Sequence, residues 1–294
     1  MGAHLVLVLD TNVVQYAPTV VLQVLADRGF ALRVSAIAIE ERLARSASEG
    51  IDTLRVRLRN IARFIDPMNP IAPQGGPLYA RLGIRAPDPD LRRTNDGYNA
   101  ALPGMWANLI GTDHLPGWQG LADGMDGSIN RNAAFVRSQL TLLADVPRGA
   151  VTYGAVLRET RKTVAEHPVV RHFGNARLDA YVSRLARIIF DVPQQPSEND
   201  IEDLSLLEHL AEDVILVTGD YRFIVAIDAT DSLQSPFVRS PWEILEGMVP
   251  DGPPWGPSAV AASLAHTRRT RHSLKAVEAA AQARLSLPHP PPVG

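Results

Sequence analysis

The chain has 294 residues, 46% of them hydrophobic, enough for one large domain or two modest ones with a sizeable buried core. Its 29 Lys and Arg against 32 Asp and Glu leave a formal charge of -3, which argues against indiscriminate polyanion binding but allows a local basic face. There is no cysteine, so disulfides, thiolate metal sites and thiol catalysis are excluded, and the composition fits a reducing, cytoplasmic setting.

The run Leu5-Val6-Leu7-Val8-Leu9 predicts a buried parallel strand over 4–9. It is too short to cross a membrane. It also meets Asp10 at once, without the basic region and long apolar stretch of a signal peptide. After Asp10-Thr11-Asn12, one helix is predicted over 13–29, with Val13, Val21, Leu22 and Leu25 as core contacts and Gly29 as its stop. A second strand-like run at 31–35 leads into a helix capped by Ser35, which carries Glu40 and Glu41 and has Leu43 on its inner face. Residues 51–65 are amphipathic: Leu54, Leu58, Ile61 and Ile65 fall at helical spacing, and Arg55, Arg57, Arg59 and Arg63 occupy the other positions.

Composition changes near residue 66. From 66 to 130 there are 8 prolines and 10 glycines, which predicts loop-rich sequence with short helices, tied to a core by Met105, Trp106, Leu109 and Ile110. Helical periodicity returns at 131–146, 150–166 and 176–190, where Leu178, Tyr181, Leu185, Ile188 and Ile189 form an apolar stripe. Residues 66–190 therefore read as an insertion, loop-rich and then helical, into an α/β domain made of 1–65 and 191–250. Within it, Arg158, Arg161 and Lys162 offer a basic edge or a solvated helix face.

The segment 197–210 places Asp200, Glu202 and Asp203 at the start of a helix. A third apolar run, Val214–Val217, follows and ends in Thr218-Gly219-Asp220. Asp228 and Asp231 read as surface residues or as outer neighbours of the acidic site, and His209 as structural. A small strand is predicted within 236–240, and a helix opening at Pro241. Residues 251–294 form a Pro/Ala-rich extension around one weakly basic helix at 258–285. Arg268, Arg269, Arg271 and Lys275 there can touch RNA or a partner, or simply face solvent.

A carboxylate directly after a buried parallel strand sits at the rim where α/β sheets bind ligands. Asp10, the Glu40/Glu41 pair, Asp200/Asp203 and Asp220 converge if their strands are neighbours. Their mutual repulsion then calls for a divalent ion, Mg²⁺ or Mn²⁺, which can polarise a phosphodiester and activate water. Taken alone, Asp10 and Asp200 also read as helix caps, and Asp220 as a turn residue beside Gly219.

The segments LVLVLDTNVV, VSAIAIEERL, ENDIEDLSLLEHL and VILVTGDYRF, in this order, resemble the PIN-domain nucleases, and RSPWEIL is similar to that family's last strand and helix. The resemblance covers about 1–50 and 190–247; the long middle and the C-terminal extension lie outside it. It implies a three-layer α/β sandwich with a central, mostly parallel sheet. It also implies metal-dependent hydrolysis of RNA, less often DNA, by a carboxylate-held Mg²⁺ or Mn²⁺. Carried over singly, Asp10, Glu41, Asp203 and Asp220 match the catalytic, metal-holding acids, with Asp200 as a further ligand. Asn12 and Thr218 match positioning residues, and Arg222, just after Asp220, can neutralise phosphate or simply lie at the surface. Glu40 stays a rival to Glu41, because adjacent helix residues point about 100° apart. Asp200 stays a rival to Asp203, one turn away.

The family reading allows an antitoxin-like protein partner and a homo-oligomer, and involves no membrane. Two other readings compete: a PIN-like module that binds RNA or protein without cutting, and a haloacid-dehalogenase-type phosphatase. The phosphatase needs a second acid where Asn12 stands.

Overall fold

The computed structural model describes residues 5–73, 89–111, 117–127, 152–165, 175–191, 200, 203–211, 213–230 and 232–248. The apolar runs form parallel strands: β1 (Val6–Leu9), β2 (Ala31–Ser35), β3 (Ile71–Ala72), β4 (Val214–Val217) and β5 (Val238–Arg239). Among the described residues they make one five-stranded, all-parallel sheet in the order β3-β2-β1-β4-β5. Leu7, Val8 and Leu9 are buried, as is all of β4. Successive strand side chains point to opposite faces, so both faces of the sheet centre are covered, as an α/β sandwich requires.

The chain runs outward from β1 through β2 to β3, then returns to the other side of β1 as β4 and β5. That reversal opens a crevice beyond the carboxyl ends of β1 and its neighbours. Register sharpens this: Leu9 pairs with Val34 on one side and Val217 on the other. The next residues, Asp10, Ser35 and Thr218, therefore stand in a row along one edge of the sheet.

Two helices, α1 (Thr11–Tyr16) and α2 (Thr19–Asp27), replace the single one predicted over 13–29. Pro18 explains the break. A residue before proline is pushed out of the helical region, and Ala17 has an extended ψ of 131°. Gly29, at φ 87°, supplies the left-handed residue just past α2. The Ser35 side chain caps α3 (Ala36–Glu49) by accepting from the Ile37 amide. Ser240 caps the helix that opens at Pro241, in a reciprocal capping box with Glu243.

Two arginines predicted to decorate the outside of α4 (Ile51–Ala62) instead clamp helix ends. Arg57 donates to the carbonyls of Val14 (2.6 Å) and Ala17 (2.5 Å), closing the C-terminal end of α1. Arg55 is buried and donates to the carbonyls of Leu109 and Gly111, at the end of α5 (Pro89–Ile110). Cations at helix C-termini satisfy orphan carbonyls and complement the dipole.

α5 corrects the loop expectation for this stretch: 22 residues are helical despite Pro103. Leu102, Trp106 and Leu109, spaced at four and three residues, are buried in the common core and outweigh the poor local propensity. The sheet also passes residue 65, because β3 pairs with β2 through Val34↔Ile71 and Ser35↔Ala72. The stretch expected as an insertion thus contributes an edge strand and part of the core.

Its later half packs as α6 (Tyr153–Ala165) against α7 (Asp179–Asp191). The start of α7 is pinned to 232–234. Asp179 accepts from the Ser232 hydroxyl (2.8 Å) and the Leu233 amide (2.9 Å), and the Gln234 amide group reaches the carbonyls of Arg177 and Leu210. The remaining helices are α8 (Leu204–Leu207), α9 (Tyr221–Asp228) and α10 (Pro241–Leu245). Among the described residues no helix is long and apolar enough to cross a membrane. The helices expected at 131–146 and 258–285, the extension with Arg268, Arg269, Arg271 and Lys275, and also Glu202 and Asp231, lie outside the described residues.

Candidate functional site

Six carboxylates from distant parts of the chain line one cavity of about 1080 Å³ at the carboxyl edge of the sheet: Asp10, Glu41, Asp126, Asp200, Asp203 and Asp220. Asp10 follows β1, Glu41 is on α3, Asp200 and Asp203 precede α8, and Asp220 follows β4. Of the two rivals on α3, Glu41 lines this cavity and Glu40 is not among its lining residues. Asn12 and Arg222 line it as well. Thr218 lies beneath it, fully buried.

The local geometry comes from helix starts. Asp10 caps α1: its Oδ1 accepts from the Thr11 amide at 2.6 Å. Its Oδ2 accepts from the Thr218 hydroxyl at 2.8 Å. That same hydroxyl accepts from the Asp220 amide at 3.0 Å, and Asp220 Oδ1 caps α9 through the Arg222 and Phe223 amides. Thr218 therefore links the two aspartates through one oxygen. On the other side the Thr11 hydroxyl donates to Glu41 Oε2. Capping and cavity lining are thus compatible roles: each capping aspartate commits some of its acceptor sites to backbone N–H groups and retains others.

Burial and the concentration of negative charge both act on the proton affinities. Burial pushes the Asp10 carboxyl up, against the lowering effect of its hydrogen bonds from Thr218 and Thr11. Asp203 is pushed up to about 7 from the ordinary 3.8, first by burial and then by the charges of Asp10, Asp220, Glu41 and Asp200. Between about pH 4 and pH 7 the folded state holds a proton at Asp203 that the unfolded chain has released. This group's stabilisation is therefore complete below about pH 4 and is lost as pH rises through about 7. The metal-free protein should show a melting temperature that falls between about pH 5 and pH 7.5, and Asp203→Asn should flatten that slope. Thermal melts in a chelating buffer at several pH values check this; an unchanged slope in the variant would contradict it.

Several residues that the sequence reading passed over belong here. Thr11 lies inside the Asp10-Thr11-Asn12 motif but had no assigned role. Arg42 is buried, lines the cavity, and reaches Gln15 (3.1 Å) and Glu49 (3.3 Å). Arg184, on α7, is buried and ion-paired with Asp200. Its signal was positional: it falls three residues after Tyr181 and four before Ile188, on the apolar stripe. Asp126, on the helical segment 118–127, also lines the cavity. Arg161 is bound to Asp179 and Lys162 to Glu159, and neither these two nor Arg158 line the cavity. Asp228 is buried rather than superficial, in an ion pair with Arg239. His209 is buried and hydrogen-bonds the Ser35 hydroxyl through Nε2 at 3.0 Å.

Hard carboxylate oxygens with retained acceptor capacity, and an acid whose proton affinity is raised by burial and by its neighbours' charge, fit a magnesium- or manganese-sized cation. Among the described residues, however, no three acidic or histidine side chains are already drawn into a metal-holding group. Comparison with protein-family models, with curated proteins and with solved structures gives no match for this chain.

Proposed function

We propose that this chain is a PIN-like, divalent-metal-dependent endoribonuclease. The observation that carries the reading is the convergence of Asp10, Glu41, Asp203 and Asp220, with Asp200 beside them, on one cavity at the sheet's switch point. These acids would hold the cation. When bound, Mg²⁺ or Mn²⁺ supplies charge stabilisation at the phosphodiester and lowers the proton affinity of water.

The chain's own residues supply position. Thr218 fixes Asp10 relative to Asp220, and Thr11 fixes Glu41. Arg184 compensates Asp200 and so lowers the cost of assembling these acids. Arg222 is exposed at the rim, on the helix that Asp220 caps, where it can meet a phosphate of the bound strand. No covalent intermediate with a side chain is needed. RNA is favoured over DNA by the resemblance of the four acidic segments.

The test is incubation of the purified full chain with mixed-sequence single-stranded RNA and DNA, in Mn²⁺, in Mg²⁺ and in chelator. Metal-dependent internal cleavage of RNA is the expected result. Intact RNA in every condition, or equal cleavage in chelator, would overturn the proposal.

A further inference from the structure

Next to the carboxylate cavity lies a second cleft of about 620 Å³ that the chemistry above does not use. The two share Asn12, Tyr16, Asp220 and Arg222. The second cleft adds Tyr221, Trp242, Pro18 and Pro241. Its character differs sharply from that of its neighbour: three aromatic rings and two prolines, with Asp220 its single carboxylate. Trp242 is half-buried and packed against the core at the first turn of α10, so its ring is held in place. Tyr16 is 67% exposed, at the last position of α1.

A large tyrosine exposed to that degree at the mouth of a polar cavity has no packing role of its own. Its placement follows from Pro18. The proline ends α1 early, and the clamp of Arg57 on Val14 and Ala17 fixes the end of the helix that carries Tyr16. The size is within the range of roughly 300–1,000 Å³ typical of ligand sites.

We infer that this cleft is a base-stacking subsite: it takes an unpaired nucleobase adjoining the phosphate held at the acidic cavity, with Tyr16 and Trp242 as the stacking surfaces and Arg222 between base and phosphate. The inference rests on the nuclease reading for its substrate class. Flat aromatic faces accept any base, whereas a base locked in a duplex cannot enter. The subsite therefore selects for single strands without selecting sequence. It also gives the cavity something besides phosphate to hold, which matters because the six carboxylates lining it outnumber its four arginines and repel a polyanion before a cation arrives.

The test is fluorescence titration of the full chain, in Ca²⁺, with a cleavage-resistant 2′-O-methyl oligouridine, the same oligomer with abasic residues, and a blunt duplex. The expected result is quenching of tryptophan emission by the base-bearing strand. It should bind roughly 5- to 100-fold more tightly than the abasic strand or the duplex. Tyr16→Leu and Trp242→Leu should each remove most of that difference, while Trp242→Phe keeps the affinity and loses the quenching. Equal binding of base-bearing and abasic strands, or Leu variants that keep the preference, would overturn the subsite. Base-dependent binding without any metal-dependent cleavage would leave the subsite standing and remove the nuclease reading; cleavage without base preference would do the reverse.

Discussion

Asp10→Asn should lower metal-dependent cleavage at least about 100-fold while leaving the fold intact and slightly more stable at neutral pH. Replacing a residue that merely supports a metal site typically costs about 10- to 100-fold, so loss of a direct ligand should cost more. The substitution is nearly isosteric. Asn Oδ1 can still accept from the Thr11 amide and cap α1. Its amide group can donate to the Thr218 hydroxyl, which retains acceptor capacity beyond the Asp220 amide. What disappears is a buried negative charge whose proton affinity burial has raised, and removing such a charge relieves the folded state. The diagnostic outcome is therefore opposed: activity falls and the metal-free melting temperature holds or rises. Falling activity together with loss of folding would mean that Asp10 serves only as a cap. Unchanged activity would remove it from the centre.

Thr218→Val should cost about 10- to 100-fold in cleavage, and Thr218→Ser should restore most of it. Valine keeps the shape but leaves Asp10 Oδ2 and the Asp220 amide without their shared partner. Unmaking buried hydrogen bonds of this kind lowers stability by about 1–3 kcal/mol, which a denaturant titration reads. Stability alone does not separate positioning from packing. The separating measurement is the concentration of Mn²⁺ needed for half-maximal activity. Positioning predicts that it rises in the valine variant and returns toward the wild-type value in the serine variant. A valine variant with reduced stability and an unchanged metal requirement would assign Thr218 to packing.

Much of the frame was legible because its signals are local. An unbroken apolar run followed at once by an acid marks both a doubly buried strand and the rim beyond it, and Asp10 and Asp220 carry that signal. Gly29 and Ser35 announce a helix end and a helix start through backbone requirements alone. Pro18 announced the break between α1 and α2 by the same logic, but the apolar spacing of Val13, Val21 and Leu25 concealed it.

What escaped depended on contacts between distant residues. Neither the Thr11–Glu41 hydrogen bond, across 30 positions, nor the Arg184–Asp200 pair, across 16, has a periodicity to betray it. The helix at Pro89–Ile110 escaped for the opposite reason. Its composition argues for loop, and only burial of Leu102, Trp106 and Leu109 against the sheet domain reverses that preference. The choice between Glu40 and Glu41 likewise required knowing which face of α3 meets the cavity.

If these acids, though far apart in sequence, share a divalent cation, titration of Mn²⁺ into the full chain at about pH 6.5 will show it, following free Mn²⁺ by electron paramagnetic resonance and proton release in weak buffer. Saturable binding is predicted, with release of up to about one proton as Asp203 gives up the proton it holds near pH 7. The binding should be lost or greatly weakened in Asp10→Asn and in Asp220→Asn. No saturable binding at millimolar Mn²⁺, or the same binding in both variants as in the wild type, would contradict it.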